Sequence, residues 1–136
     1  MSSNKYGGSL DTNVAIRILL NDIPDQHQKS LKLIQENNKE YLVSDIAIME
    51  IVFVLEKHYG FTRDQVADTI TGLISIWNLA INRVIISDSI NFYLGHKSLS
   101  FEDCYMAEAA RFHNAEPLFT FDRKLATQSD VAQELV

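Results

Sequence analysis

Cysteine is nearly absent from this chain: Cys104 stands alone among 136 residues, so no internal disulfide can staple the fold. A reducing compartment is compatible with that. Proline and glycine are scarce too, two and five, and with 46% hydrophobic and 22% charged residues the composition is that of an ordinary globular protein. No apolar run approaches the roughly 18 residues of a membrane span. The opening Met-Ser-Ser-Asn-Lys-Tyr has neither the basic nor the apolar region of a secretory signal. The expectation is a cytoplasmic protein with no membrane contact. Basic excess is also lacking. A formal net charge of −6 argues against binding nucleic acid by blanketing phosphates with a cationic face. It does not exclude nucleic acid as a substrate, because carboxylates converging on divalent cations reverse the local sign of charge. The length suits one domain, residues 1–136, with one core that needs no staples.

Several chemistries are missing as well. There is no Gly-x-Ser-x-Gly elbow and no Gly-x-x-x-x-Gly-Lys phosphate loop. His27, His58, His96 and His113 stand far apart with no paired spacing, which disfavours zinc. Cys104, beside Asp103 on an apolar stretch, reads as a small core residue. A phosphotransferase of the haloacid dehalogenase type would want a second aspartate where this chain has Asn13.

What is present alternates in period. Tyr6 to Leu10 is expected as a first strand, with Gly7-Gly8-Ser9 making that edge irregular. Asn13 to Leu20 reads as a buried helix capped by Asn13 and stopped before Pro24. A polar helix follows from Asp25 to about Asn37, then a short strand at Tyr41-Leu42-Val43. Ile46 to Leu55 is apolar except for Glu50, a carboxylate expected to be shielded from water and in need of a partner. Tyr59-Gly60 ends that helix, and Thr62-Arg63-Asp64-Gln65 is a capping box for the next. Val66, Ile70, Leu73, Ile74 and Trp77 recur on one face of it, expected as core or as a subunit contact, with Phe92 and Tyr93 as a second apolar surface. Val84-Ile85-Ile86 is expected as a third strand, with Ser87 capping a helix to about Lys97. Ser100-Phe101-Glu102-Asp103 opens another helix, with Asp103 facing inward beside Met106, Ala107 and Ala110 while Glu102 and Glu108 take the wet sides. Pro117 to Thr120 reads as a strand, Asp122 as a following cap, and residues 131–136 as a last short strand. Strands alternating with helices predict an α/β fold whose short, mostly parallel sheet is flanked by helices on both sides.

Asp11, Glu50, Asp103 and Asp122 each have a local explanation: a turn or cap, a buried ion pair or a protonated acid, a capping box, and a cap. One shared cause is more economical. Gathered carboxylates repel unless protons or cations hold them, and such hard oxygen donors suit Mg²⁺ or Mn²⁺.

Read as motifs, these residues resemble the PIN domain family, and within it the VapC-type ribonuclease toxins. Leu-Asp-Thr-Asn-Val is similar to the family's first acidic motif, and the run from Ser44 to Gly60 around Glu50 is similar to the second. Phe101-Glu102-Asp103-Cys104 with its alanine-rich continuation resembles the third, and Phe119-Thr120-Phe121-Asp122-Arg123-Lys124-Leu125 the last. The likeness covers Leu10 to about Ala126 in motif order. It departs at Gly7-Gly8-Ser9, where the family has an apolar strand, and at Cys104, where it has alanine.

The resemblance implies a PIN-like three-layer fold and a metal-dependent endoribonuclease that hydrolyses RNA phosphodiesters. Asp11, Glu50, Asp103 and Asp122 would be the catalytic acids holding Mg²⁺ or Mn²⁺, with Asn13 and Thr120 supporting. Arg17, Arg123 and Lys124 are the nearest candidates for phosphate contacts. It also implies a type II toxin–antitoxin pair, with a small cognate antitoxin protein and a homodimer. The alternatives are a PIN nuclease of RNA processing or decay without an antitoxin, and a catalytically silent PIN-like binding module whose acids serve only as caps.

Overall fold

The computed structural model describes residues 5–36 and 38–136, and the chain divides after Asn82 into two compact units. The first unit runs β1 (Tyr6–Ser9), α1 (Thr12–Leu19), α2 (Pro24–Glu36), β2 (Glu40–Leu42), α3 (Asp45–Lys57), α4 (Arg63–Ile74) and β3 (Leu79–Ala80). Its strands form a parallel sheet in the order β1-β2-β3, each reached from the last through a pair of helices. The register is Ser9 to Leu42 and Leu42 to Ala80, and it slips between Tyr6 and Gly8, the irregular edge expected of Gly-Gly-Ser. Gly7 has a packing reason. A Cβ there would lie 2.7 Å from the ring of Tyr41, a buried side chain whose hydroxyl donates to the Leu33 carbonyl and so cannot swing away cheaply.

Helix α1 packs on α2, α3 and α4, with Ala15 and Ile16 buried among Ile51, Leu55, Ile70 and Leu73. Fully burying an aliphatic side chain of this size is worth about 1.5–3 kcal/mol. Val66, Ile70 and Leu73, expected as a possible self-association surface, are all buried in this way; they are core. The same helix stops at Ile74, so Trp77, counted on that face in the linear pattern, lies beyond its end and is exposed. The capping box of Thr62 and Gln65 forms as expected, and Gly60 takes the left-handed conformation at φ +65°. The expected end of α2 at Asn37 lies outside the described residues.

The second unit runs α5 (Arg83–Gly95), α6 (Phe101–Phe112), β4 (Leu118–Thr120), α7 (Arg123–Gln128) and β5 (Ala132–Glu134). Strands β4 and β5 pair in parallel, Leu118 opposite Ala132 and Thr120 opposite Glu134. Helices α5 and α6 pack along one another, with Tyr93 and Phe101 edge to face at 5.6 Å. The expected strand at Val84-Ile85-Ile86 is instead the first turn of α5, and Ser87 is inside that helix. Ile86, Ser89, Ile90 and Tyr93 are buried at helical spacing, which outweighs the β-branched run that suggested a strand. The third strand is the two-residue Leu79–Ala80, too short to show any alternation. Tyr93 is interior, so it offers no second apolar surface.

The α/β class expected from the sequence holds: among the described residues, seven helices accompany strands whose every pairing is parallel. No described helix is long and apolar enough to cross a membrane.

Candidate functional site

In the first unit the acids are Asp11 and Glu50. Asp11 follows β1 at its carboxyl end and is the N-cap of α1, its Oδ1 accepting the Val14 N–H at 3.0 Å. Asn13, expected as that cap, lies exposed in the first turn of α1 and does not perform it. Thr12, between the two, donates its hydroxyl to Glu50 Oε2 at 2.9 Å and so ties the start of α1 to the middle of α3. Thr12 was not singled out from the sequence; the only signal there was a hydroxyl next to Asp11. Glu50 is exposed, not shielded as expected. Ile46, Glu50 and Phe53 recur at i, i+4 and i+7 on one face of α3, and both hydrophobic members are open, 69% and 53% exposed. An apolar sequence neighbourhood is therefore no guide to burial here.

Arg17 is already engaged. Its guanidinium donates to Asp22 Oδ1 at 2.9 Å, to the Tyr59 hydroxyl at 2.8 Å and to Gln26 Oε1 at 3.1 Å, with the side chain only 12% exposed. The Tyr59 hydroxyl in turn donates to Asp22 Oδ2 at 2.6 Å and holds that carboxyl below its ordinary range. A cavity of about 280 Å³ opens beside Asp11, lined also by Asn13, Arg17, Gln26, Lys29 and Ser30. A larger one, about 610 Å³, lies between Leu19, Ile34 and Trp77 and touches none of the four acids.

In the second unit, Ser100 and Asp103 form the expected capping box of α6: Ser100 Oγ accepts the Asp103 N–H at 3.1 Å, and Asp103 Oδ2 accepts the Ser100 N–H at 3.4 Å. Asp103 is half-buried beside buried Ala107, whereas Met106 is exposed. Glu102 is exposed as expected, but Glu108 is not on a wet side; its side chain is 11% exposed. Phe101, Cys104 and Glu108 share the inward face at i, i+3 and i+7. Buried Glu108 Oε2 has Arg111 Nε at 3.5 Å as an ion pair without hydrogen-bond geometry, and desolvation raises its pKa against the pull of Arg111. Arg111 is committed more strongly to Asp130, at 2.7 Å.

Asp122 follows β4 and caps α7, its Oδ1 accepting the N–H groups of Lys124 at 2.9 Å and Leu125 at 3.4 Å. Thr120 supports it: Thr120 Oγ1 accepts the Asp122 N–H at 2.9 Å. Arg123 is exposed, 3.6 Å from Glu134, and Lys124 reaches the Ser98 carbonyl at 3.4 Å.

A common pattern links the four acids. Each is held by one oxygen, Asp11 Oδ1, Glu50 Oε2, Asp103 Oδ2 and Asp122 Oδ1, and no hydrogen bond engages the other oxygen among the described residues. Among those residues, no three or more His, Cys, Asp or Glu side chains are gathered so as to hold a metal ion. The acids stand two in each unit. The chemistry of the set, carboxylates alone with an unused oxygen apiece, fits a hard divalent cation.

This is an α/β protein with parallel strands and an acid two residues beyond the ends of β1 and β4, and strand carboxyl ends are where α/β folds generally place their ligands. The match to known families is more specific. Residues 9–131 match the PIN domain, nearly the whole chain, and the protein belongs to the PIN domain family. PIN domains are generally nucleases that act on nucleic acid, and they usually bind divalent metal ions. No curated protein sequence matches the chain.

Proposed function

We propose that this PIN domain is a metal-dependent endoribonuclease, and that it is the VapC-type toxin of a type II toxin–antitoxin pair in the cytoplasm. Asp11, Glu50, Asp103 and Asp122 would hold Mg²⁺ or Mn²⁺ through the oxygens that the fold leaves unused. The observation that carries this reading is that each acid has one oxygen fixed by a backbone N–H or a hydroxyl and one uncommitted. A carboxylate oriented in this way offers a ligand without first paying to order itself. When bound, such an ion makes a water nucleophilic near neutral pH and offsets charge developing on the phosphodiester oxygens.

The chain's own residues divide the remaining work. Thr12 orients Glu50, Ser100 orients Asp103, and Thr120 fixes the backbone from which Asp122 projects. Arg123 and Lys124 are the phosphate contacts, since their present partners are exposed or weakly held. Arg17 stabilises the turn between α1 and α2 through Asp22 and Tyr59, and Asn13 lines the cavity beside Asp11. A small antitoxin and a homodimer complete this reading, the dimer using surface other than the buried Val66–Leu73 face.

The test is cleavage of defined single-stranded RNAs by purified protein with Mn²⁺ and with EDTA, wild type beside Glu50→Gln. Cleavage is expected only for the wild type with metal. Cuts that persist in EDTA, or an active Glu50→Gln protein, would overturn the assignment.

A further inference from the structure

The residue before Asp122 is an aromatic with no visible structural task. Phe121 is 82% exposed at the bend between β4 and α7, and Phe119, on the other side of Thr120, is 55% exposed. Neither ring packs on another aromatic among the described residues. The backbone under Phe121 is nevertheless firmly held. On one side, β4 is paired with β5, and the Thr120 carbonyl accepts the Leu135 N–H at 2.8 Å. On the other, the Asp122 N–H is bonded to Thr120 Oγ1 and the Asp122 carboxylate caps α7. A large apolar ring in water on an immobilised backbone loses little entropy when something stacks on it. Beyond the capping Asp122 stand two exposed cations, Arg123, only loosely paired with Glu134 at 3.6 Å, and Lys124, so charge complementarity at this turn favours a polyanion with flat apolar faces. Unpaired RNA has both properties: its splayed bases stack on aromatic side chains while lysine and arginine meet the phosphates.

We propose that Phe121 is a stacking platform for an unpaired base adjoining the phosphate that is cut, with Phe119 extending it and Arg123 and Lys124 holding the flanking backbone. This rests on the ribonuclease reading and makes it more specific. The substrate at the cut is single-stranded, because a base within a duplex has no free face to offer.

The experiment uses the full chain and a single-stranded RNA whose cut site has been mapped. Steady-state cleavage with Mn²⁺ is compared for wild type, Phe121→Ala and Phe121→Trp, on that RNA and on a version with an abasic nucleoside beside the cut. Stacking on one base predicts roughly a tenfold rise in KM for the alanine variant. It also predicts recovery with tryptophan and no difference between variants on the abasic RNA. A second readout needs no turnover: a 2-aminopurine at that position is quenched on binding Glu50→Gln protein and stays bright with the Glu50→Gln, Phe121→Ala double variant. Thermal unfolding checks that so exposed a substitution leaves stability unchanged. Equal KM and equal quenching with and without the ring would overturn the platform while leaving the ribonuclease intact. Loss of self-association in Phe121→Ala, with cleavage of monomer unchanged, would overturn it in favour of a subunit contact. If the wild type neither cuts nor binds RNA, both readings fall together.

Discussion

At the scale of single residues, Glu50 and Glu108 exchange the environments that their neighbours in the chain suggest. Glu50, in the middle of an apolar run, is exposed and among the described residues is bonded only to Thr12, so Glu50→Gln is expected to change stability by less than about 0.5 kcal/mol. Denaturant unfolding in EDTA measures this, and a loss of several kcal/mol would show a buried structural pair instead. Glu108 carries the opposite expectation. Its pKa is raised above the ordinary 4.5 by desolvation, so the folded protein binds that proton more tightly than the unfolded chain does. Stability is therefore lost as pH climbs from the ordinary carboxylate value to the raised one, and it stays lower above. Wild type compared with Glu108→Gln across pH 3–8 should show the wild type's relative stability falling with rising pH, on the scale of roughly one pKa unit per 1.4 kcal/mol. A difference that does not vary with pH would contradict the burial of that carboxyl. Asp22 and Asp130, with lowered pKa values from Tyr59 and Arg111, act in the reverse sense: their stabilisation is present above the ordinary carboxylate range and is lost on acidification.

At the scale of elements, the starts of helices are where local structure and the proposed site coincide. Asp11, Ser100 with Asp103, and Asp122 satisfy the first N–H groups of α1, α6 and α7. A cap therefore does not compete with a metal role: it uses one oxygen and leaves its partner oriented. Ser100→Ala should cost about 0.5–2 kcal/mol of stability. It should also lower cleavage, because Asp103 loses the reciprocal bond that fixes its backbone, and Ser100→Thr should restore both. Reduced stability with full activity would show that Asp103 needs no such orientation. On α3 one face, with Ile46 and Phe53, is exposed, while the other, with Ile48, Ile51, Val52 and Leu55, builds the core.

At the scale of the whole molecule, the match to the PIN domain continues across the boundary between the units, from residue 9 to residue 131. Two of the four acids belong to each unit. We propose that residues 1–136 behave as one cooperative domain. Calorimetric and van't Hoff enthalpies of unfolding should then agree, and two resolved transitions would show that the units melt separately. The net charge of −6 remains a cost for binding a polyanion. On the proposed ribonuclease reading, such a balance would make RNA affinity depend on metal and on a few local cations such as Arg123 and Lys124, not on the field of the whole protein.

The sequence alone determined the α/β class and the order of most elements, and it singled out the four acids proposed here as the site. Those depend on hydrophobic period, turn residues and motif spacing, which are local properties. Thr62 and Gln65, Ser100 and Asp103, and Gly60 could be read for that reason: each cap or turn is complete within a few residues. Tertiary structure decided what depends on partners distant in the chain. Leu79–Ala80 is a strand only because Tyr41 and Val43 donate to the Asn78 and Ala80 carbonyls. Val84-Ile85-Ile86 is helical because Tyr93 and Ile90 lie on the same buried face. The Thr12–Glu50 bond spans 38 residues, and Gly7 is explained only by the ring of Tyr41. Exposure itself is such a property: the open face of α3 at Glu50 and the open ring at Phe121 are set by what the rest of the chain does not cover.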